Sequence, residues 1–166
     1  YVDGARMIAR PYSLPMGLLL VSSATLSGAY AFQYLGGLQP CALCLYQRWP
    51  WWIAAGLALL ALLLVSKRRL SRIFSALGTL SLFVGAGIAI YHVGGEQHWW
   101  SGPTACSVAT ATPQTLDELR AQVLGAPVVR CDEVGLSLFG ISMAGYNGII
   151  SFTTALAALA FLRRNR

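Results

Sequence analysis

The sequence predicts an all-α membrane protein: a four-transmembrane-helix bundle with a short amphipathic helix in its second outer loop. Three observations predict it. Of 166 residues, 56% are hydrophobic and only 11% are charged, a composition that belongs to the membrane class. Four apolar runs, 14–35, 49–65, 73–93 and 143–162, each approach the ~20 residues a spanning helix needs. Basic residues gather at alternate ends of these runs. Helices follow because backbone groups in hydrocarbon must be satisfied within their own segment. The whole chain, 1–166, reads as one membrane domain.

The first span, Leu14–Leu35, ends near Ala29-Tyr30-Ala31, which resembles a signal cleavage site. The run is long for a signal-peptide core, so it reads as an uncleaved span. The second, Trp49–Val65, follows a short loop at 36–48. Lys67, Arg68, Arg69 and Arg72 fill the turn to the third span, Ile73–Val93. Gly78, Ser81, Gly85 and Ala89 give that span a small-residue face suited to close helix packing. A long loop, 94–142, leads to the fourth span, Met143–Leu162, closed by Arg163, Arg164 and Arg166.

Arg6 and Arg10 complete a set of nine of the twelve basic residues on one face. The positive-inside rule assigns that face to the cytoplasm, with both termini, and puts loops 36–48 and 94–142 outside. The net charge of +6 is thus a topology signal. Because these residues flank spans, the charge does not describe a nucleic-acid surface. Trp49, Trp51, Trp52, Trp99 and Trp100 all fall at the outer interface, where indole rings settle. In the long loop, Thr115-x-x-Glu118 forms a capping box, Leu116, Leu119 and Val123 recur at helical spacing, and Gly125 and Pro127 stop the helix.

This topology puts all four cysteines outside: Cys41 and Cys44 in the first loop, Cys106 and Cys131 in the second. An exported, oxidising compartment permits disulfides. Four cysteines allow three pairings, and the closeness of Cys41 to Cys44 favours Cys41–Cys44 with Cys106–Cys131. A Cys-x-x-Cys pair suits thiol–disulfide exchange because its sulfurs open and close a small ring. Free N–H groups at the start of span two favour a thiolate on Cys44. In a regular helix Arg48 would share a face with Cys44 and add positive charge; the alternative is snorkelling to headgroups. Pro50 leaves two geometries open, a kinked span or one starting near Trp49, and the second removes the shared face. His92 ends span three, with Glu96 following at the boundary, and Asn147 is expected to bond a neighbouring helix.

Cys41-x-x-Cys44-x-x-Gln47-Arg48 opening a span, Tyr91-His92 closing another, and the cysteine-bearing segments Gly102-Pro103-Thr104-Ala105-Cys106-Ser107 and Cys131-Asp132-Glu133 resemble the DsbB family of bacterial membrane disulfide-forming proteins. The likeness covers most of the chain. The Trp-rich stretch around Pro50 is a departure. The resemblance implies an inner-membrane oxidase that reoxidises a periplasmic, DsbA-like thioredoxin-fold dithiol oxidase and passes the electrons to a membrane quinone, ubiquinone or menaquinone. Carried over, Cys106 takes the partner's mixed disulfide and Cys131 is its companion. Cys41 and Cys44 form the inner pair, with Cys44 facing the quinone. Arg48 stabilises the Cys44 thiolate or the reduced quinone's charge, and His92 and Gln47 lie near the ring.

Three rival readings have different consequences. A scaffold braced by two structural disulfides has no quinone dependence. A four-thiolate metal site is poorly served by the wide spacing of Cys106 and Cys131. A quinone reductase resembling vitamin K epoxide reductase would carry its Cys-x-x-Cys near a later span.

Overall fold

The computed structural model describes residues 2–100, 115–117, 120, 131 and 134–164. Its elements are α1 (Val2–Tyr34), α2 (Ala42–Tyr46), α3 (Arg48–Leu63), α4 (Arg68–Glu96), β1 (Ser137–Leu138), β2 (Ile141–Ser142) and α5 (Met143–Arg164). Helix α4 is the centre of the bundle, packed on both α3 and α5, and α1 lies mainly against α3.

Among the described residues, three helices are long and apolar enough to cross a membrane: Pro11–Tyr34, Arg68–Glu96 and Met143–Arg164. The four-span expectation is met in that part. The run expected at 49–65 forms α3, a helix of 16 residues, about 24 Å long at the α-helical rise. It is short because Pro50 cannot donate to the Tyr46 carbonyl, which interrupts the ladder and sets α2 apart as a single turn, and because Leu64 leaves helical geometry at φ −101°. Of the amphipathic helix expected from Thr115, Leu116, Asp117 and Arg120 are helical, and the remainder lies outside the described residues.

The side-chain distribution is that of a protein solvated by lipid. The buried core is Leu18, Leu26, Trp51, Ala54, Ala58, Leu82, Ala155 and Ala158, and large residues such as Leu20, Leu63, Leu80, Val84 and Ile90 point outward. Small residues inside let backbones approach, and large apolar residues outside meet hydrocarbon. Gly78, Gly85 and Ala89 are buried on α4 as their pattern predicts. Pro50 sits in the first turn of α3, where a missing N–H costs little. A Cβ added at Gly85 would stand 3.0 Å from the Pro50 ring, and Ser81 donates to the Pro50 carbonyl at 2.9 Å.

Two turns fix the outer end. After α4 the backbone reverses at His98 (φ 56°) and folds Trp100 back onto Tyr91, with ring centroids 5.6 Å apart and the indole N–H donating to the Tyr91 carbonyl at 3.1 Å. Ahead of α5, Phe139 and Gly140 both take positive φ, the two-residue turn that matches hairpin twist. Ser142 then caps α5 by accepting from the Gly145 N–H at 3.1 Å.

The Trp100 seat exists because Gly94 lacks a side chain: a Cβ there would lie 2.0 Å from the indole. Gly94→Ala is expected to lose about 1–3 kcal/mol through overpacking, read as a lower melting temperature in detergent. An unchanged melting temperature would contradict this seat.

Candidate active site

The site is assembled where loop 36–48 meets the outer ends of α4 and α5. Gly37, at φ 66°, ends α1 in the left-handed conformation glycine adopts freely. The chain then reaches Cys41, which serves as the N-cap of α2, its sulfur accepting from the Cys44 N–H at 3.2 Å. One helical turn brings the Cys44 sulfur to 2.8 Å from that of Cys41. A disulfide needs about 2.05 Å, so the pair closes with little movement.

The two sulfurs differ. Cys41 is buried and Cys44 half-buried. The Cys44 S–H donates to Cys41 and holds the Cys41 thiol down at about 4, against the opposing effect of burial, with further help from His92 and the Cys44 backbone N–H. Cys44 is pushed up, first by giving that proton's hydrogen bond to Cys41, then by burial and the negative charge beside it. The thiolate expected on Cys44 therefore belongs to Cys41. The first cause is the hydrogen bond between the two sulfurs, and the N-cap position of Cys41, which aims the Cys44 backbone N–H at its sulfur, adds to it.

Arg48 does not share a face with Cys44 in a way that pairs them. Gln47 joins α2 to α3 in right-handed helical geometry, its N–H still on the Leu43 carbonyl at 3.0 Å. The Arg48 guanidinium turns to α1, donating to Gln33 Oε1 at 2.6 Å and lying 4.8 Å over the Tyr30 ring. Of the two geometries Pro50 left open, the structure has Pro50 in the first turn of α3, with Gln47 still in helical geometry ahead of it.

His92 and Gln47 are drawn into the site. His92 is 2% exposed, with Nε2 3.6 Å from Cys41 Sγ and Nδ1 2.8 Å from Gln47 Nε2. Gln47 Oε1 accepts from Asn147 Nδ2 at 2.7 Å, and Asn147 Oδ1 accepts from the Trp51 indole N–H at 2.7 Å. Asn147 thus bonds a neighbouring helix as expected. Trp51 does not belong to the interfacial belt: it is 1% exposed, because its N–H finds a partner inside the bundle. Glu96 Oε1 lies 3.9 Å from His92 Nε2, and Glu96 Oε2 is buried with no hydrogen-bond partner among the described residues.

Cys131 is disulfide-bonded, 1% exposed, and packed in one cluster with Cys41 and Leu43. The site therefore holds a dithiol beside a disulfide sulfur from the other loop. Cys106 lies outside the described residues. Sequence reading missed Gln33, Tyr30 and Trp51. A polar Gln33 near the end of an apolar run was a usable signal, whereas nothing marked Trp51 apart from its neighbours. Cys41, Cys44 and His92 also bring three ligand atoms within 4.8 Å of one another, a set that could hold a metal ion.

A bundle of long apolar helices, one end of which holds a Cys-x-x-Cys against a second, disulfide-bonded cysteine, defines a class: membrane thiol–disulfide oxidoreductases. The family model for disulfide bond formation protein DsbB matches residues 12–161. The chain belongs to the DsbB family and is a membrane disulfide bond formation protein. Among curated relatives, an uncharacterized protein of Rickettsia prowazekii is 26% identical over 83% of this chain and 80% of its own length. Disulfide bond formation protein B of Pasteurella multocida is 34% identical over 87% and 83%, and that of Hahella chejuensis 30% identical over 90% and 93%. No solved structure gives a significant match.

Proposed function

We propose that this protein reoxidises a periplasmic, DsbA-like dithiol oxidase and passes the electrons to a membrane quinone, with both termini cytoplasmic and all four cysteines periplasmic. The observation that carries the reading is the packing of Cys131 against the Cys41–Cys44 pair. Separate disulfides could brace two loops, but sulfurs from both pairs in one cluster allow exchange.

The partner's thiolate attacks Cys106, releasing Cys131 as a thiolate, and its second thiol resolves the mixed disulfide. Cys131 then attacks Cys41 of the Cys41–Cys44 disulfide, with Cys44 as leaving thiolate, and Cys106 displaces Cys41 from Cys131. The second pair is restored and Cys41 and Cys44 are reduced. Each exchange breaks one S–S bond and forms one. Reclosing Cys41 and Cys44 from a thiolate and a thiol releases two electrons and the proton on Cys44.

A quinone supplies a lipid-soluble two-electron acceptor. The residues fit one: Cys44 is half-buried, Tyr46 and Trp49 expose ring surface close by in the chain, and Arg48 offers a guanidinium that would hold an oxygen, while Gln47 and His92, buried and bonded to each other, back the Cys41 side of the pair. Stabilising the Cys41 thiolate stabilises the reduced pair and so makes its disulfide a stronger oxidant.

The test is quinone reduction by purified protein in detergent, with a reduced thioredoxin-like oxidase as donor. Turnover by the parent, lost in Cys44→Ser, is the expected result. No turnover with several quinones and a competent donor would sink the oxidase reading and leave the disulfides as braces.

A further inference from the structure

We propose that Trp51 and Asn147 are positioning residues that, through Gln47, fix His92 as the tautomer carrying its proton on Nε2, aimed at Cys41. The consequence for catalysis rests on reading Cys41 and Cys44 as the redox pair; the tautomer itself does not.

The polarity follows from one unambiguous group. An indole N–H only donates, so Asn147 must turn its Oδ1 to Trp51, 2.7 Å away. The Asn147 amide nitrogen then faces Gln47 Oε1 at 2.7 Å. Gln47 in turn must point its own amide nitrogen at His92 Nδ1, 2.8 Å away. Nδ1 is therefore an acceptor, and the ring proton resides on Nε2. That nitrogen faces two acceptors, Cys41 Sγ at 3.6 Å and Glu96 Oε1 at 3.9 Å. Both ends of the chain agree.

Trp51, Gln47 and His92 are 1%, 5% and 2% exposed, which leaves little room for water to reverse an amide, and a reversed one would face donor to donor. The wire joins α3, α5, the α2–α3 junction and α4, so docking of these elements is read out at the thiolate. The same polarity counts against a metal ion on Cys41, Cys44 and His92, since the nitrogen facing the sulfurs is occupied by a proton. Among the described residues, the titratable groups facing Cys41 are Cys44 from α2 and His92 from α4, with Glu96 behind His92; Cys131 is disulfide-bonded.

The test is nitrogen NMR of ¹⁵N-histidine-labelled, reduced full-length protein in detergent at neutral pH. The chain has two histidines, and His98→Gln assigns the second. The parent is expected to show His92 Nε2 protonated and Nδ1 bare. Trp51→Phe removes only the fixed donor, and Asn147→Leu removes both links. Each is expected to let an Nδ1-protonated population appear and to raise the Cys41 midpoint by about one unit, roughly a tenfold loss of thiolate below it. A parent protonated on Nδ1, or both variants unchanged in tautomer and Cys41 midpoint, would overturn the proposal. If one variant does not fold, the other carries the test, and a parent protonated on Nδ1 overturns the proposal whatever the variants do. Since no quinone or partner is present, a protein that passes here and fails to turn over would remove the oxidase reading and keep the wire.

Discussion

Acidified from neutral pH, the reduced protein is expected to keep one thiolate until about pH 4 and to lose that signal altogether in Cys41→Ser. The readout is thiolate ultraviolet absorbance, parent against variant. An ordinary cysteine, with a pKa near ~8.5, would hold on the order of 1% thiolate or less at pH 6, whereas Cys41 would be almost fully ionised. The sign of the linkage follows. Because the folded value is depressed, Cys41 contributes fully to the stability of the reduced form above the ordinary thiol range. That contribution shrinks as the pH falls and is gone below about 4. The reduced protein should therefore lose stability relative to Cys41→Ser across this interval. A thiolate that disappears between pH 8 and 9, as for an ordinary thiol near ~8.5, or one that survives in Cys41→Ser, would contradict the assignment.

Replacing His92 by phenylalanine is expected to have the next largest effect. The ring keeps its volume and loses both polar contacts: the N–H toward Cys41 and the acceptor for the Gln47 amide. A buried N–H left without an acceptor costs about 1–3 kcal/mol, so the melting temperature falls. The Cys41 midpoint rises, and thiolate-dependent exchange at pH 6 slows by roughly tenfold for each unit of that rise. His92→Gln offers an amide donor at a similar reach and is expected to recover part of the midpoint, which a purely structural role for the ring would not produce. A midpoint unmoved in His92→Phe would place the cause of the low value on Cys44 alone.

How much of this was legible in the sequence depends on the length scale of the determinant. Three of the four expected spans are helices long enough to cross a membrane because hydropathy averages over many residues, and one misplaced boundary changes little. The second expected span, 49–65, agrees with α3 to within two residues at its end, and α3 itself is shorter than α1, α4 and α5 because Leu64 leaves helical geometry. The Cys41–Cys44 pair was visible because its spacing is local. Which of the two sulfurs is ionised was not, since it depends first on which thiol gives the hydrogen bond between them and then on the His92 ring, 51 positions from Cys41, neither of which spacing encodes. Arg48 illustrates the same limit: an i, i+4 relation describes neighbours on one helix, and the long guanidinium took its partners from another, Gln33 and Tyr30 of α1. Trp51 and Asn147 lie 96 positions apart along the chain, and their partnership is a product of the packing of α3 and α5 against α4. Periodicity carries no such long-range information.

The most direct measurement mixes the oxidised protein, free of quinone, with one equivalent of a reduced thioredoxin-like dithiol oxidase. The new thiols are mapped by alkylation and mass spectrometry before and after quinone is added. The account predicts that Cys41 and Cys44 become alkylatable while the Cys131 disulfide is restored, and that quinone then closes the Cys41–Cys44 pair with formation of an equivalent of hydroquinone. Thiols that stay on Cys106 and Cys131, with Cys41 and Cys44 never changing state, would contradict it.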